Sequence, residues 1–181
     1  ATWSMIAYPS ERREWSTTRK LQAIKAAGFD GVCSYITPEM SAMARSLGLR
    51  LMSGFDAKGL TDALPQLRAQ HDAGVRFVNV QLLNHDTAPA AAARTAVQVI
   101  RAARKLGLSV HLETHRDTAT ETPEKFDAIV QWYRRATGEI LPVTWDHSHF
   151  AVSKHLQPPD YSRRLLAWPE VIQASQMFHL R

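Results

Sequence analysis

Ser109-Val110-His111-Leu112-Glu113-Thr114-His115 sets a carboxylate and two imidazoles into an otherwise apolar run, just after a helix-like stretch closed by Leu106-Gly107. Read as a strand, its alternation puts His111, Glu113 and His115 on one face, with Val110, Leu112 and Thr114 on the other. A glutamate inside an apolar strand is costly to bury unless it is paired or bound to a metal. Two later runs end in the same way. Leu141-Pro142-Val143-Thr144-Trp145 leads into Asp146-His147-Ser148-His149, and Val171 to Phe178 leads into His179-Leu180-Arg181. If the three runs are neighbouring parallel strands, two carboxylates and an imidazole meet at one end of a sheet.

The rest of the chain repeats the same unit. Helix-like stretches end in Gly28, Gly48, Gly74 and Gly107, each followed by an apolar run, and Gly138 stands before Ile140-Leu141. Glycine suits the left-handed position just past a helix, and an apolar run after it reads as a buried parallel strand. Met40, Met43, Ala44 and Leu47 have helical spacing, as do Phe126, Ile129, Val130 and Tyr133, the latter behind an N-cap Thr122 and Pro123. Seven strands are expected, near 2–7, 30–35, 50–55, 76–82, 109–114, 141–146 and 172–179. Their spacing of roughly 20 to 33 residues fits βα units.

Seven consecutive units imply an α/β fold of the (β/α)8 barrel type, in a single domain over residues 1–181. A doubly wound sheet would carry a glycine-rich turn after its first strand, where this chain has Tyr8-Pro9-Ser10-Glu11-Arg12. Complete barrels run to about 250 residues. At 181 residues the chain reads as a barrel truncated after strand seven, with its C-terminal part missing. Activity of this chain alone is then expected to be weak or absent unless a second copy completes it, so a homo-oligomer is compatible with the reading.

Composition is that of a soluble globular protein, 45% hydrophobic and 22% charged, and no run approaches a membrane span. Without a charged-then-apolar leader the cytoplasm is the expected compartment. The lone Cys33 excludes an internal disulfide. A net charge of +5 and a pI near 9.7 invite a nucleic-acid reading. The basic residues are spread over helix faces and loops, however, and no aromatic–basic alternation organises them, which disfavours it.

In a barrel the active site lies at the C-terminal ends of the strands, where Glu113, Asp146 and His179 would sit on adjacent strands. Oxygen-rich sites with one imidazole suit Mn²⁺, Co²⁺ or Mg²⁺ better than a closed zinc site, although Zn²⁺ is chemically admissible. For Glu113 the alternative is a salt bridge to Arg116 or Arg181; for Asp146, a helix N-cap beside an exposed His149. His85 follows the fourth run and is a candidate substrate contact. Asn79 and Gln81 share one face of that run, and His111 reads as a core histidine. Trp3, Trp15, Trp132 and Trp168 read as packing, although Trp15 could stack on a sugar ring.

At Glu113-Thr114-His115, Asp146-x-x-His149 and His179-x-Arg181 the chain resembles the xylose isomerase-like barrel superfamily of sugar isomerases and epimerases, related in fold to endonuclease IV. In members of the ketose 3-epimerase type, a Glu, an Asp and a His after strands five, six and seven bind one divalent metal ion. The resemblance implies that Glu113, Asp146 and His179 are ligands and that His149 contacts the substrate; His115, Arg181 and His85 are read as further substrate contacts. A fourth ligand, a Glu on strand eight, would lie beyond the chain. True xylose isomerases have a lysine where His115 stands, which weakens a two-metal hydride shift. The endonuclease branch needs further ligands on strands two to four, where only His85 is found.

The implied activity is a metal-dependent isomerase or epimerase of a sugar or sugar-derived keto or hydroxy acid. It would act by proton abstraction next to a carbonyl through a metal-stabilised enediolate, with Glu113 as acid/base and Mn²⁺ as the favoured ion. A lyase or dehydratase of an oxidised sugar would begin with the same proton abstraction. The alternatives are an endonuclease IV-like phosphodiesterase and a non-catalytic sugar-binding barrel.

Overall fold

The computed structural model describes residues 1–179. Among the described residues six parallel strands lie side by side in chain order: β1 (Gly31–Cys33), β2 (Arg50–Ala57), β3 (Phe77–Leu82), β4 (Ser109–Glu113), β5 (Val143–Trp145) and β6 (Met177–Phe178). A doubly wound sheet reverses its strand order at a switch point. Here the order never reverses, and the sheet curls as part of a (β/α) barrel.

The connecting helices are α1 (Thr17–Ala26), α2 (Pro38–Ser46), α3 (Leu60–Asp72), α4 (Pro89–Lys105), α5 (Pro123–Thr137), α6 (His147–Ser153), α7 (Tyr161–Leu165) and α8 (Pro169–Ala174). Among the described residues no helix is long and apolar enough to cross a membrane. The core lies between helices and sheet. From α4 it takes Ala92, Ala93, Ala96, Val99, Ile100 and Ala103, a helical stripe whose small members let the backbone approach the sheet closely.

Helix α5 follows its expected pattern, burying Phe126, Ile129, Val130 and Tyr133. The Thr122 side chain accepts from the Lys125 amide, and the helix ends on Gly138 at φ 74°, a left-handed position that a side chain would strain. Phe126, Trp145, Phe150 and Trp168 form an aromatic cluster beneath the strand ends, with ring centroids 5.1 to 6.1 Å apart. The indole of Trp168 donates to Asp127 at 2.8 Å. Gly31 answers a different need: a Cβ there would lie 2.8 Å from the Arg50 carbonyl oxygen across the β1–β2 ladder.

Two expected strands differ. The run at 2–7 is no strand; Thr2–Met5 form a 3₁₀ turn. It lies outside the sheet, tied by a 2.6 Å hydrogen bond from Thr2 to Ser34, with Trp3 laid over Gly54. The run at 172–179 begins in a helix and pairs with the sheet only near its end. Pro169 at the first helical position and Glu170 in the first turn favour α8 through Ala174, so that β6 keeps only Met177 and Phe178.

Cys33 is half-buried rather than fully enclosed. Burial, partly countered by the N-terminal charge, pushes its thiol up to about 11, so it stays protonated at neutral pH.

Candidate active site

Register brings the three polar clusters together. Glu113 pairs with Thr144, one residue before Trp145 and two before Asp146; Trp145 pairs with Phe178, one residue before His179. The ladder continues past the strands, with the Thr114 amide donating to Thr144 at 3.1 Å and the His179 amide to Trp145 at 3.0 Å. Glu113, Asp146 and His179 therefore stand at the C-terminal ends of three adjacent strands. One ligand atom from each lies within 4.8 Å of the others.

Glu113 is only 1% exposed and its carboxylate is held from three sides. Its Oε2 accepts from Asn79 at 2.6 Å and Gln81 at 2.9 Å, and its Oε1 from His179 Nδ1 at 2.6 Å. Burial raises the carboxyl pKa, but the His179, Asn79 and Gln81 donors outweigh it and hold the group down at about 2. Asn79 and Gln81 alternate on β3 and reach across one ladder, so their amides buttress the carboxylate as well as lining the cavity beside it. The alternative, a salt bridge to Arg116, does not form; that side chain is exposed, with its nitrogen 3.8 Å from Asp117.

Asp146 is both a cap and a site residue. Its Oδ1 accepts from the amide of Ser148, at 3.0 Å, and from the Ser148 hydroxyl, capping α6. Its Oδ2 lies 3.4 Å from His149 Nε2 and 4.0 Å from His179 Nδ1. Asp146 is fully buried and His149 is 4% exposed, so the cap does not come with a solvent-facing histidine. Thr114 joins the two strand ends: its hydroxyl donates to the Asp146 carbonyl and accepts from the Asp146 amide, both at 2.8 Å.

His115 is half-buried against His149, with ring centroids 3.9 Å apart. Its Nδ1 donates to the Arg116 carbonyl at 2.6 Å. A cavity of about 400 Å³ opens over the cluster, lined by Trp3, Tyr35, Asp56, Gln81, Glu113 and His115 among others. A second, of about 580 Å³, shares Asp56, Gln81 and His115 with it. Both lie at the strand ends where a barrel binds its ligand.

Other candidates fall elsewhere. His85 is exposed in the turn after β3, its carbonyl accepting from Lys125 and its ring 3.6 Å from Asp86. It belongs to neither group of ligand-type side chains. His111 is a core residue, 2% exposed, its ring nitrogen 2.9 Å from the Ser109 hydroxyl; burial lowers its pKa. Trp15 packs between Tyr8 and Arg19. Arg181 lies outside the described residues. Sequence reading missed Trp3 as a cavity wall, Thr114 as the strand-end link and Thr120, whose hydroxyl donates to the Glu113 carbonyl at 2.6 Å. The threonine run 114, 118, 120 and 122 was the available signal.

Thr114→Val should cost about 1–3 kcal/mol, because it leaves a buried amide and carbonyl of Asp146 without their hydroxyl partner. Denaturant unfolding checks this, and a loss below about 0.5 kcal/mol would remove Thr114 from that role.

The donor set suits a divalent cation. Two buried carboxylates and an imidazole converge, and burying two negative charges together is unfavourable without a compensating positive charge.

No family model matches the chain, and no curated protein matches it in sequence. Several solved structures are similar in fold, three of them as follows. The probable 3-DHS dehydratase AsbF of petrobactin synthesis, from Bacillus anthracis, superposes with a TM-score of 0.63 at 14% identity, over 93% of this chain and 68% of that one. A D-psicose 3-epimerase determined in the presence of D-fructose gives 0.62 at 12% identity, over 91% and 67%. Deoxyribose phosphate aldolase from Aeropyrum pernix gives 0.53 at 19% identity, over 74% and 61%. The chain thus spans about three fifths to two thirds of these proteins' lengths. At such identities the likeness establishes the fold alone, and it bears out the (β/α) barrel expected from the sequence.

Proposed function

We propose that the protein is a divalent-metal-dependent isomerase or epimerase acting on a sugar or a sugar-derived keto or hydroxy acid. Glu113, Asp146 and His179 are the ligands, and Mn²⁺ is the favoured ion. The observation that carries the reading is the convergence of two buried carboxylates and one imidazole at the ends of three adjacent strands, beside an open cavity. The neighbours support it, since a 3-epimerase and a dehydratase are among the structures of similar fold.

When bound, the cation supplies an electrophile that acidifies the C–H bond next to a substrate carbonyl. The chain's own groups do the rest. Glu113, whose carboxylate the amides of Asn79 and Gln81 keep ionised, is a weak base in isolation. It removes a proton only from a carbon acidified in this way, and Asn79 and Gln81 keep its carboxylate aimed while it does so. His149 and His115 offer ring nitrogens to substrate oxygens, and Trp3 and Tyr35 wall the cavity against a sugar's apolar face. Dehydration of a hydroxylated keto acid begins with the same proton abstraction.

Incubation of the Mn²⁺-loaded protein with ketohexoses in D₂O tests this. Deuterium should enter at the carbon next to the carbonyl even where net turnover is weak, because that exchange needs only Glu113 and the cation; no exchange above the metal-only control across the panel would contradict the reading.

A further inference from the structure

We propose that the groove between α3 and α4, on the helix side of the barrel, docks an acidic amphipathic helix of a partner protein. The groove has a volume of about 390 Å³ and shares no residue with the two cavities at the strand ends. Its floor is apolar: Leu60 and Leu64 from α3, with Ala102 and Leu106 from the end of α4, none of them fully buried. Arg68, Arg101 and Lys105 stand around that floor, and no carboxylate lines it.

Charge decides what fits there. The 17 residues of α4 include no acidic side chain. Arg94, Gln98, Arg101 and Lys105 recur at i, i+4, i+7 and i+11, all exposed, and form one stripe over roughly 16 Å of helix axis. Among the described residues the one ion pair made by α4 is that of Arg104, which turns to Glu139. Arg68, Arg94, Arg101 and Lys105 have no carboxylate at salt-bridge distance. Like charges held this close repel, and a ligand that brings carboxylates at the same helical spacing relieves the repulsion.

A partner helix meets both features at once. Its apolar residues at i, i+3, i+4 and i+7 fill the floor, and glutamates or aspartates beside them face the cationic stripe. A lipid surface fits less well, because the leucines are recessed between two helices rather than projecting toward an acyl layer. Nucleic acid also fits less well, since no aromatic side chain lines the groove for a base to stack on.

Fluorescence anisotropy of labelled synthetic peptides tests the proposal on the full chain. The peptides are helices long enough to span Arg94 to Lys105, with a glutamate stripe beside floor positions varied among Leu, Ile, Met and Phe. Matched sets carry Lys in place of every Glu, or Ser in place of every floor residue. Members of the acidic, apolar set should bind, and the Lys and Ser sets should bind at least about tenfold more weakly. Arg101→Glu combined with Lys105→Glu should weaken the acidic set by at least about tenfold. Arg12→Glu combined with Arg13→Glu, which are exposed and outside the groove, should leave binding unchanged. An acidic set that binds no better than its Lys counterparts overturns the proposal. Equal binding by the Ser set, or an equal loss in the Arg12 and Arg13 variant, also overturns it, because either reduces the contact to adsorption by net charge. Phosphatidylglycerol vesicles or a DNA duplex held through Arg101 and Lys105 more tightly than any peptide overturns it as well, as does self-association of the chain that the Arg101 and Lys105 variant abolishes.

Discussion

Glu113→Gln should lower turnover by about 10²–10⁴-fold, the usual contribution of a positioned acid/base group, and weaken Mn²⁺ binding by at least about 10–100-fold. The substitution is nearly isosteric. A glutamine oxygen at the Oε2 position still accepts from Asn79 and Gln81, while its amide turns toward His179, whose ring can accept in the other tautomer. Folding should therefore suffer little. Charge-assisted hydrogen bonds become neutral ones, worth about 1–2 kcal/mol, which leaves the variant folded. Steady-state kinetics with a turned-over ketose, together with Mn²⁺ affinity, reads the effect. Activity within about threefold of wild type would remove Glu113 from both roles, since neither a base nor a ligand survives loss of its charge unnoticed.

The second large effect concerns the support beneath the site. Phe126 is fully buried and touches Trp145, Phe150 and Trp168 at centroid distances of 5.1 to 5.7 Å. Phe126→Ala should cost about 3–5 kcal/mol, combining lost transfer energy with a cavity among large rings that cannot collapse into it. Trp145 precedes Asp146, and Phe150 follows His149. Loosening this cluster should therefore also weaken metal binding at the strand ends. A denaturant midpoint corresponding to less than about 1 kcal/mol would mean that the cluster packs independently of the α5 core.

Much of this arrangement is legible in the sequence, for identifiable reasons. Gly107 and the alternation of β4 placed Glu113 at a strand end, and the helical spacing of Phe126, Ile129, Val130 and Tyr133 placed α5 with its cap. These signals are local, so they survive without knowledge of neighbours. The segment at 2–7 was misread because alternation shows that residues can form a strand, whereas pairing decides whether they do; Trp3 lies on Gly54 instead. The 172–179 run was misread because Pro169 and Glu170 start a helix that apolar Val171 and Ile172 then serve equally well. Within the site, the identities of the two carboxylates and the imidazole could be read from sequence. Their supports could not. Asn79 on β3, Thr114 and Ser148 act through register and capping, which depend on three dimensions. His85 has the right position along the chain, but its turn carries it to the surface beside Asp86.

The central claim is that Glu113, Asp146 and His179 together hold one divalent cation, and Mn²⁺ binding to wild type and Asp146→Asn tests it most directly. Electron paramagnetic resonance of free Mn²⁺ counts what the protein takes up. The account predicts about one bound equivalent in wild type and at least about tenfold weaker binding once the Asp146 charge is removed. Wild type that takes up no Mn²⁺, or an Asp146→Asn variant that binds it equally well, would contradict it.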